Sequence, residues 1–152
     1  MSVKQTVRHQ YQAIVELARG GTFQMPGEGW IRTVRKALGM SGAQLAARMG
    51  VTRARIAQAE QAELEGGVTL KSMRATAEAM GCRFVYAFVP SDSIDAIIAA
   101  QARRKAEAIV ATAGKHMALE DQAVTGSGTD REVARLTSTL IHDMPADFWR
   151  DK

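Results

Sequence analysis

"QLAARMGVTRARIAQAE", residues 44–60, sets three arginines, Arg48, Arg53 and Arg55, on a frame built mostly of alanine, valine, isoleucine and methionine. Its apolar positions fall at helical spacing in two groups. Leu45, Ala46 and Met49 form the buried side of one short helix, and Ile56 and Ala59 that of the next. Gly50 stands between them as a helix terminator, and Thr52 is placed to cap the second helix. Just upstream, "SGAQ" offers Ser41 as a cap and Gln44 to return the hydrogen bond three residues later. With Ile56 turned inward, Thr52, Arg53, Ala54, Ala57 and Gln58 fall mainly on the outer side of the second helix. That surface is unusual for a helix that needs only to be soluble.

Two short helices crossed at a steep angle need a small residue where they touch, a glycine where the chain turns, and an apolar residue where the second helix seats. Ala46, Gly50 and Ile56 meet those requirements, with Ala46 four residues before the glycine and Ile56 six after it. Such a pair can read DNA, because the second helix fits the major groove. Arginine gives two hydrogen bonds to guanine O6 and N7, a contact that discriminates by about 1–3 kcal/mol. Arg53 is the first candidate base reader. Arg55 is a second reader or a phosphate clamp, and Gln58 an adenine reader or a phosphate contact. Ala54 and Ala57 let the helix approach and could meet a thymine methyl. Thr52 can cap and touch phosphate together, whereas Gln44 touches phosphate or serves only the capping box. Arg32, Arg35, Lys36 and Arg48 are expected to add sequence-independent, salt-sensitive attraction.

The charge distribution agrees. Residues 1–90 hold 12 Lys/Arg against 6 Asp/Glu, and residues 91–152 hold 8 against 10. The overall net charge of +4 is thus concentrated in the first part of the chain. A basic block inside a folded segment favours a polyanionic partner, with a solvated helix face as the alternative.

Outward from this centre, residues 3–19 place Val3, Val7, Tyr11, Ile14 and Ala18 on one helical stripe. "ARGGTFQMPGEG" follows as a linker, giving an N-terminal helix and linker over 1–28. A compact set of short helices occupies 29–81. The first carries Trp30, Ile31, Val34 and Leu38 on one side, and the last, capped by Thr69, carries Leu70, Met73, Ala77 and Met80. "CRFVYAFVP", residues 82–90, changes period and reads as a β-strand apolar on both faces. A buried strand must pair its backbone groups. The candidates are "TFQM" before Pro26 and the same strand of a second copy, the latter favoured, with Phe84, Val85, Tyr86 and Phe88 as dimerisation residues. Residues 91–152 form a helical C-terminal extension. Ser91 or Asp92 caps a long helix with a stripe of Ile94, Ile97, Ile98, Ile109 and Ala113, "TGSG" interrupts it, and Thr129 with Glu132 restarts it as a capping box. Phe148 and Trp149 at the tail are packed back or offered to a partner.

Residues 29–81 resemble the lambda-repressor-like helix-turn-helix family, "VTRARIAQAE" matching its pattern of valine, hydroxyl cap, variable polar positions, isoleucine and closing glutamate. That family often has glutamine one residue after the cap of its second helix, where this chain has Gly42. The whole chain, with its N-terminal helix and "CRFVYAFVP", further resembles the mobile mystery protein A family. Genes of that family typically lie beside one for a Fic-domain protein, so the resemblance implies the DNA-binding half of a toxin–antitoxin-like pair.

Little points to catalysis or cofactors. Cys82 has no local histidine to activate it and is expected as a small core residue. The three histidines lack zinc spacing, and His116 with Glu120 reads as a surface pair. The glycine-rich stretches lack the lysine of a phosphate loop. No run approaches the roughly 20 apolar residues that cross a bilayer, and "MSVKQTVRHQYQ" lacks a signal-peptide core, which together with a single cysteine suggests the cytoplasm. The expectation is an all-α helix-turn-helix bundle with one added strand and a helical extension. It would act as a homodimeric repressor of an inverted-repeat operator in double-stranded DNA, with no catalytic residues, metal or cofactor. The competing class is a module that neutralises a Fic-type toxin through its C-terminal helices. The inhibitory Ser/Thr-x-x-x-Glu-Gly/Asn pattern of such partners is missing from "QAELEG", where Gln61 stands in the hydroxyl position.

Overall fold

A computed structural model describes residues 2–21, 24–119 and 126–151, with the side chains of residues 117–119 left aside. Seven helices carry the described chain: α1 Val3–Arg19, α2 Trp30–Ala37, α3 Gly42–Met49, α4 Arg53–Glu65, α5 Leu70–Ala79, α6 Ile94–Leu119 and α7 Gly126–Asp143. They divide into two compact units, one of residues 21–88 and one of residues 1–20 with 89–152. No described helix is long and apolar enough to cross a membrane.

The unit of residues 21–88 packs α2 to α5 around Ile31, Leu45, Ala46, Ile56, Met73 and Met80, with Val34, Met40, Met49, Val51, Ala59, Val68, Ala79 and Phe84 against them. Local signals set each helix. Ser41 and Gln44 form the complete capping box of α3, Thr52 Oγ1 accepts from Arg55 N at 3.2 Å, and Thr69 Oγ1 accepts from Ser72 N at 3.0 Å. After α3, Gly50 takes φ 66°, a left-handed conformation that costs glycine nothing. Its N–H bonds Ala47 O and that of Val51 bonds Ala46 O, a closure that satisfies two helix-end carbonyls. Chain turns of the same kind follow α2, α4 and α5. Trp30, Leu38 and Leu70, expected on inner faces, are exposed.

Residues 82–90 contain no strand, and no described residue of the chain is in one. The apolar, β-branched composition favours a pleated conformation, but a strand exists only with a backbone partner. Of the in-chain candidate "TFQM", Thr22 and Phe23 lie outside the described residues. Instead the segment is irregular: Phe84 reaches the core and stacks on Tyr86 with ring centroids 5.9 Å apart, while Val85, Tyr86, Phe88 and Val89 are exposed. Cys82 is exposed too, not the core residue expected of it.

The other unit rests on α6 and α7. Ile98, Ala102 and Phe148 form its core with Ile94, Leu140, Ile141 and Met144, and Ala106 is buried further along α6. Ile97 and Ile109, read as part of the inner stripe, are exposed. The cap of α6 is Ser93, whose Oγ accepts from Ala96 N at 3.1 Å, in place of Ser91 or Asp92. Asp92 accepts from Ser93 N and so supports the cap from outside. α7 begins at Gly126, so Thr129 and Glu132 lie inside it and do not open it. Glu132 there pairs with Arg135 at 2.6 Å, an i,i+3 contact on the helix surface. The tail splits its aromatics: Phe148 is buried, and Trp149 stands exposed with its ring edge-on to Phe148 at 5.0 Å. Buried Gln101 donates to Phe148 O at 2.8 Å, and Lys105 Nζ to Asp147 O at 2.5 Å, fastening the tail to α6. The proposed partner of His116, Glu120, lies outside the described residues.

Candidate nucleic-acid interface

α4 turns one residue of its first turn and a half inward. Ile56 is buried, whereas Thr52, Arg53, Ala54, Arg55, Ala57 and Gln58 are all exposed, and Ala59 and Glu60 mark the margin. Arg53 and Arg55 enter no ion pair among the described residues. Their guanidinium groups therefore keep their donors for water or for a ligand, and the two alanines lower the surface between them. Gly42 at the start of α3 lies beside this patch: a Cβ there would touch Arg53 Cγ at 4.0 Å.

The remaining residues selected for electrostatic or phosphate contact do not form one class. Gln44 returns its side-chain oxygen to Ser41 N at 2.7 Å, and is exposed. Arg48 is exposed, with Nε donating to Ala79 O at 2.7 Å, at the carbonyl end of α5 where a cation is favoured. Lys36 pairs with Glu28 at 3.0 Å. Lys36 and the surrounding positive charge hold the Glu28 carboxyl below its ordinary range, the Lys36 hydrogen bond being the larger cause. Arg32 is exposed. Arg35 differs from all of these. Its Nε donates to Glu60 Oε1 at 2.6 Å and its Nη1 to Met40 O at 3.0 Å, and both ion-pair side chains are only 14% exposed. It ties α2 to α4 from within the unit.

Sequence reasoning missed the residue that does the same work more deeply. Glu63, on the inner face of α4 and only 7% exposed, sends its carboxylate to the start of α2. Trp30 N donates to Oε1 at 2.5 Å and Ile31 N to Oε2 at 3.0 Å. A carboxylate here satisfies two of the four amides that a helix start leaves unpaired, and it meets the positive end of the helix dipole. Gly29, the cap of α2, supplies no side-chain bond of its own and sits at φ 81°. A Cβ on it would lie 2.9 Å from Glu63 Oε2, so the glycine makes room for the carboxylate. The orientation of α4 against α2 thus rests on two acidic side chains one turn apart, Glu60 and Glu63. The only signal for this in the sequence is the pairing of a side-chain-free cap at Gly29 with an acid on the buried face of a distant helix.

Residues 31–86 match the family model described as helix-turn-helix. This stretch, rather less than half of the chain, is what is similar to the helix-turn-helix family. The match spans α2 to α5 and runs on through Tyr86, and the family is one of DNA-binding regulators, which supports the same role for this chain. Comparison with curated proteins and with solved structures found no match.

Proposed function

We propose that the chain is a sequence-specific DNA-binding repressor that acts as a dimer, placing the start of α4 from each copy in successive major grooves of an inverted repeat. Half-sites would then lie about one helical turn apart. The observation that carries this reading is the exposed set Arg53, Ala54, Ala57 and Gln58 around a buried Ile56, with Arg53 and Arg55 in no ion pair among the described residues. Arg53 reads guanine, Arg55 and Gln58 read a base or grip phosphate, and Thr52 and Gln44 contact phosphate. Ala54 and Ala57 allow the close approach. Arg48, with Arg32 and Lys36, adds attraction to any sequence, while Arg35 acts indirectly by holding α2 on α4.

The operator in this proposal lies upstream of the chain's own gene, and the cellular role is that of an antitoxin paired with a Fic-domain protein. The resemblance of the whole chain to the mobile mystery protein A family supports that pairing. Exposed Val85, Tyr86 and Phe88 offer apolar surface for a second copy. Titration of labelled upstream DNA tests the reading. Arg53→Ala should lower the preference for the operator over scrambled DNA by about tenfold or more, with the loss confined to one base position of each half-site. An equal loss on every sequence would remove Arg53 from the readers.

A second reading gives the unit of residues 1–20 and 89–152 a protein-neutralising role. It is favoured by Trp149, a large aromatic held exposed on a buried Phe148. Trp149→Ala should then abolish co-purification with the adjacent Fic-domain protein while operator binding persists.

A further inference from the structure

α1 is docked by its polar side. Gln5, Arg8, Gln12, Val15 and Glu16 are its half-buried positions, together with Ala18. Gln12 Nε2 donates to Asp95 Oδ1 at 2.8 Å, Glu16 Oε1 accepts from Ile94 N at 3.1 Å, and Arg8 Nη1 reaches Met144 Sδ at 2.9 Å. This docking leaves Arg8 Nε buried with no partner among the described residues. The apolar stripe faces the other way. Val3 is 81% exposed, Ile14 64% and Leu17 82%, with Val7 and Tyr11 exposed beside them. Fully burying one such side chain is worth about 1.5–3 kcal/mol. A helix whose only role was to pack at home would turn this stripe inward, and α1 does the reverse at the cost of an unpaired guanidinium nitrogen.

We propose that the exposed stripe of α1 pairs antiparallel with α1 of a second copy of this chain. Val3, Val7, Gln10, Ile14 and Leu17 step by alternating fours and threes, which is the seam of two helices wound together. Two apolar residues, one glutamine and two apolar residues read alike in either direction, so a reversed copy sets Gln10 near Gln10 and apolar ends against apolar ends. Each Gln10 amide holds donors and acceptor and can satisfy the other. Lys4 is the one charged residue flanking the seam. Antiparallel pairing holds the two Lys4 side chains roughly 18 Å apart along the axis, beyond the screening distance at physiological salt. Parallel pairing would set them side by side and align the helix dipoles unfavourably. The exposed apolar side chains offer roughly 600 Å² a copy, so a pair can cover at most about 1,200 Å², at the lower bound of specific interfaces. Pairing of α1 does not depend on DNA.

Sedimentation of the full chain tests this. The wild type should have twice the 16.4 kDa chain mass. Ile14→Glu with Leu17→Glu should raise the dimer dissociation constant by about 100-fold or more, because charge would be buried without a partner. Far-UV circular dichroism should be unchanged, since both side chains are exposed. Gln10→Leu should tighten the dimer by about tenfold, the central amide being a cost accepted for register. In a Cys82→Ser background, Gln10→Cys should cross-link on oxidation and Val3→Cys should not. A wild type that stays monomeric to about 100 µM, with or without another protein bound to it, overturns the proposal. So does a double glutamate variant with the wild-type dissociation constant, and cross-linking at Val3→Cys overturns the antiparallel register.

Discussion

Replacing Glu63 with alanine should strongly destabilise the unit of residues 21–88, although the residue is an acid on a charged, polar helix. Its carboxylate accepts two backbone bonds, at 2.5 and 3.0 Å, and is 7% exposed. Hydrogen bonds to a charged group contribute about 1.5–3 kcal/mol each, and the amides of Trp30 and Ile31 would be left facing the interior. The expected loss is therefore about 3–5 kcal/mol. Small domains hold only about 5–15 kcal/mol in all. Urea unfolding followed by Trp30 fluorescence, in a Trp149→Phe background so that one tryptophan reports, measures it. With a slope near 1 kcal/mol per molar for so small a unit, the midpoint should fall by about 3–5 M. Gly29→Ala supplies the cross-check. In the wild-type background it brings a Cβ within 2.9 Å of Glu63 Oε2, but in Glu63→Ala that contact is gone, so its cost should shrink. Part remains, because φ 81° is unfavourable for alanine. A loss below about 1 kcal/mol for Glu63→Ala, or full additivity of the two changes, would refute the clamp.

Arg35→Ala should lower the stability of the same unit by about 1–3 kcal/mol through loss of its bonds to Glu60 and Met40 O, leaving the salt dependence of DNA binding nearly unchanged. Arg48→Ala should instead reduce the slope of log affinity against log salt by about one. Phe148→Ala should cost about 3–5 kcal/mol in the unit of α6 and α7, read by Trp149 fluorescence, since it empties a fully enclosed site. Glu16 should make the docking of α1 pH-dependent. The Ile94 amide, and then Arg19, hold its carboxyl below the usual 4.5, so its contribution is present above that value and is lost as pH falls through the lowered one. The amide shift of Ile94 should follow that titration, and Glu16→Gln should abolish it.

Features encoded by neighbours in sequence were legible without a structure. The limits of α1, the capping box of Ser41 and Gln44, the turn at Gly50 and the cap at Thr52 each depend on residues within five positions of one another. The outward set on α4 follows from a single inward residue, Ile56, and a period of 3.6. Features encoded across the chain were not. Glu63 reads as one more solvated acid until Trp30 and Ile31, more than thirty residues away, arrive at its carboxylate. Arg35 reads as a surface cation until Glu60 meets it. Periodicity showed that α1 has an apolar face and said nothing of what that face meets. Composition favoured a strand over residues 82–90, where pairing decides and the described chain offers none. The glycines at 126 and 128 read as an interruption, yet α7 runs through both.

Binding of the wild-type chain to the DNA upstream of its own gene, against a scrambled competitor near 0.15 M salt, tests the central claim most directly. The account predicts a preference of about a thousandfold or more, reduced selectively by Arg53→Ala. Equal affinity for both DNAs, by a folded chain with Arg53 and Arg55 intact, would contradict it.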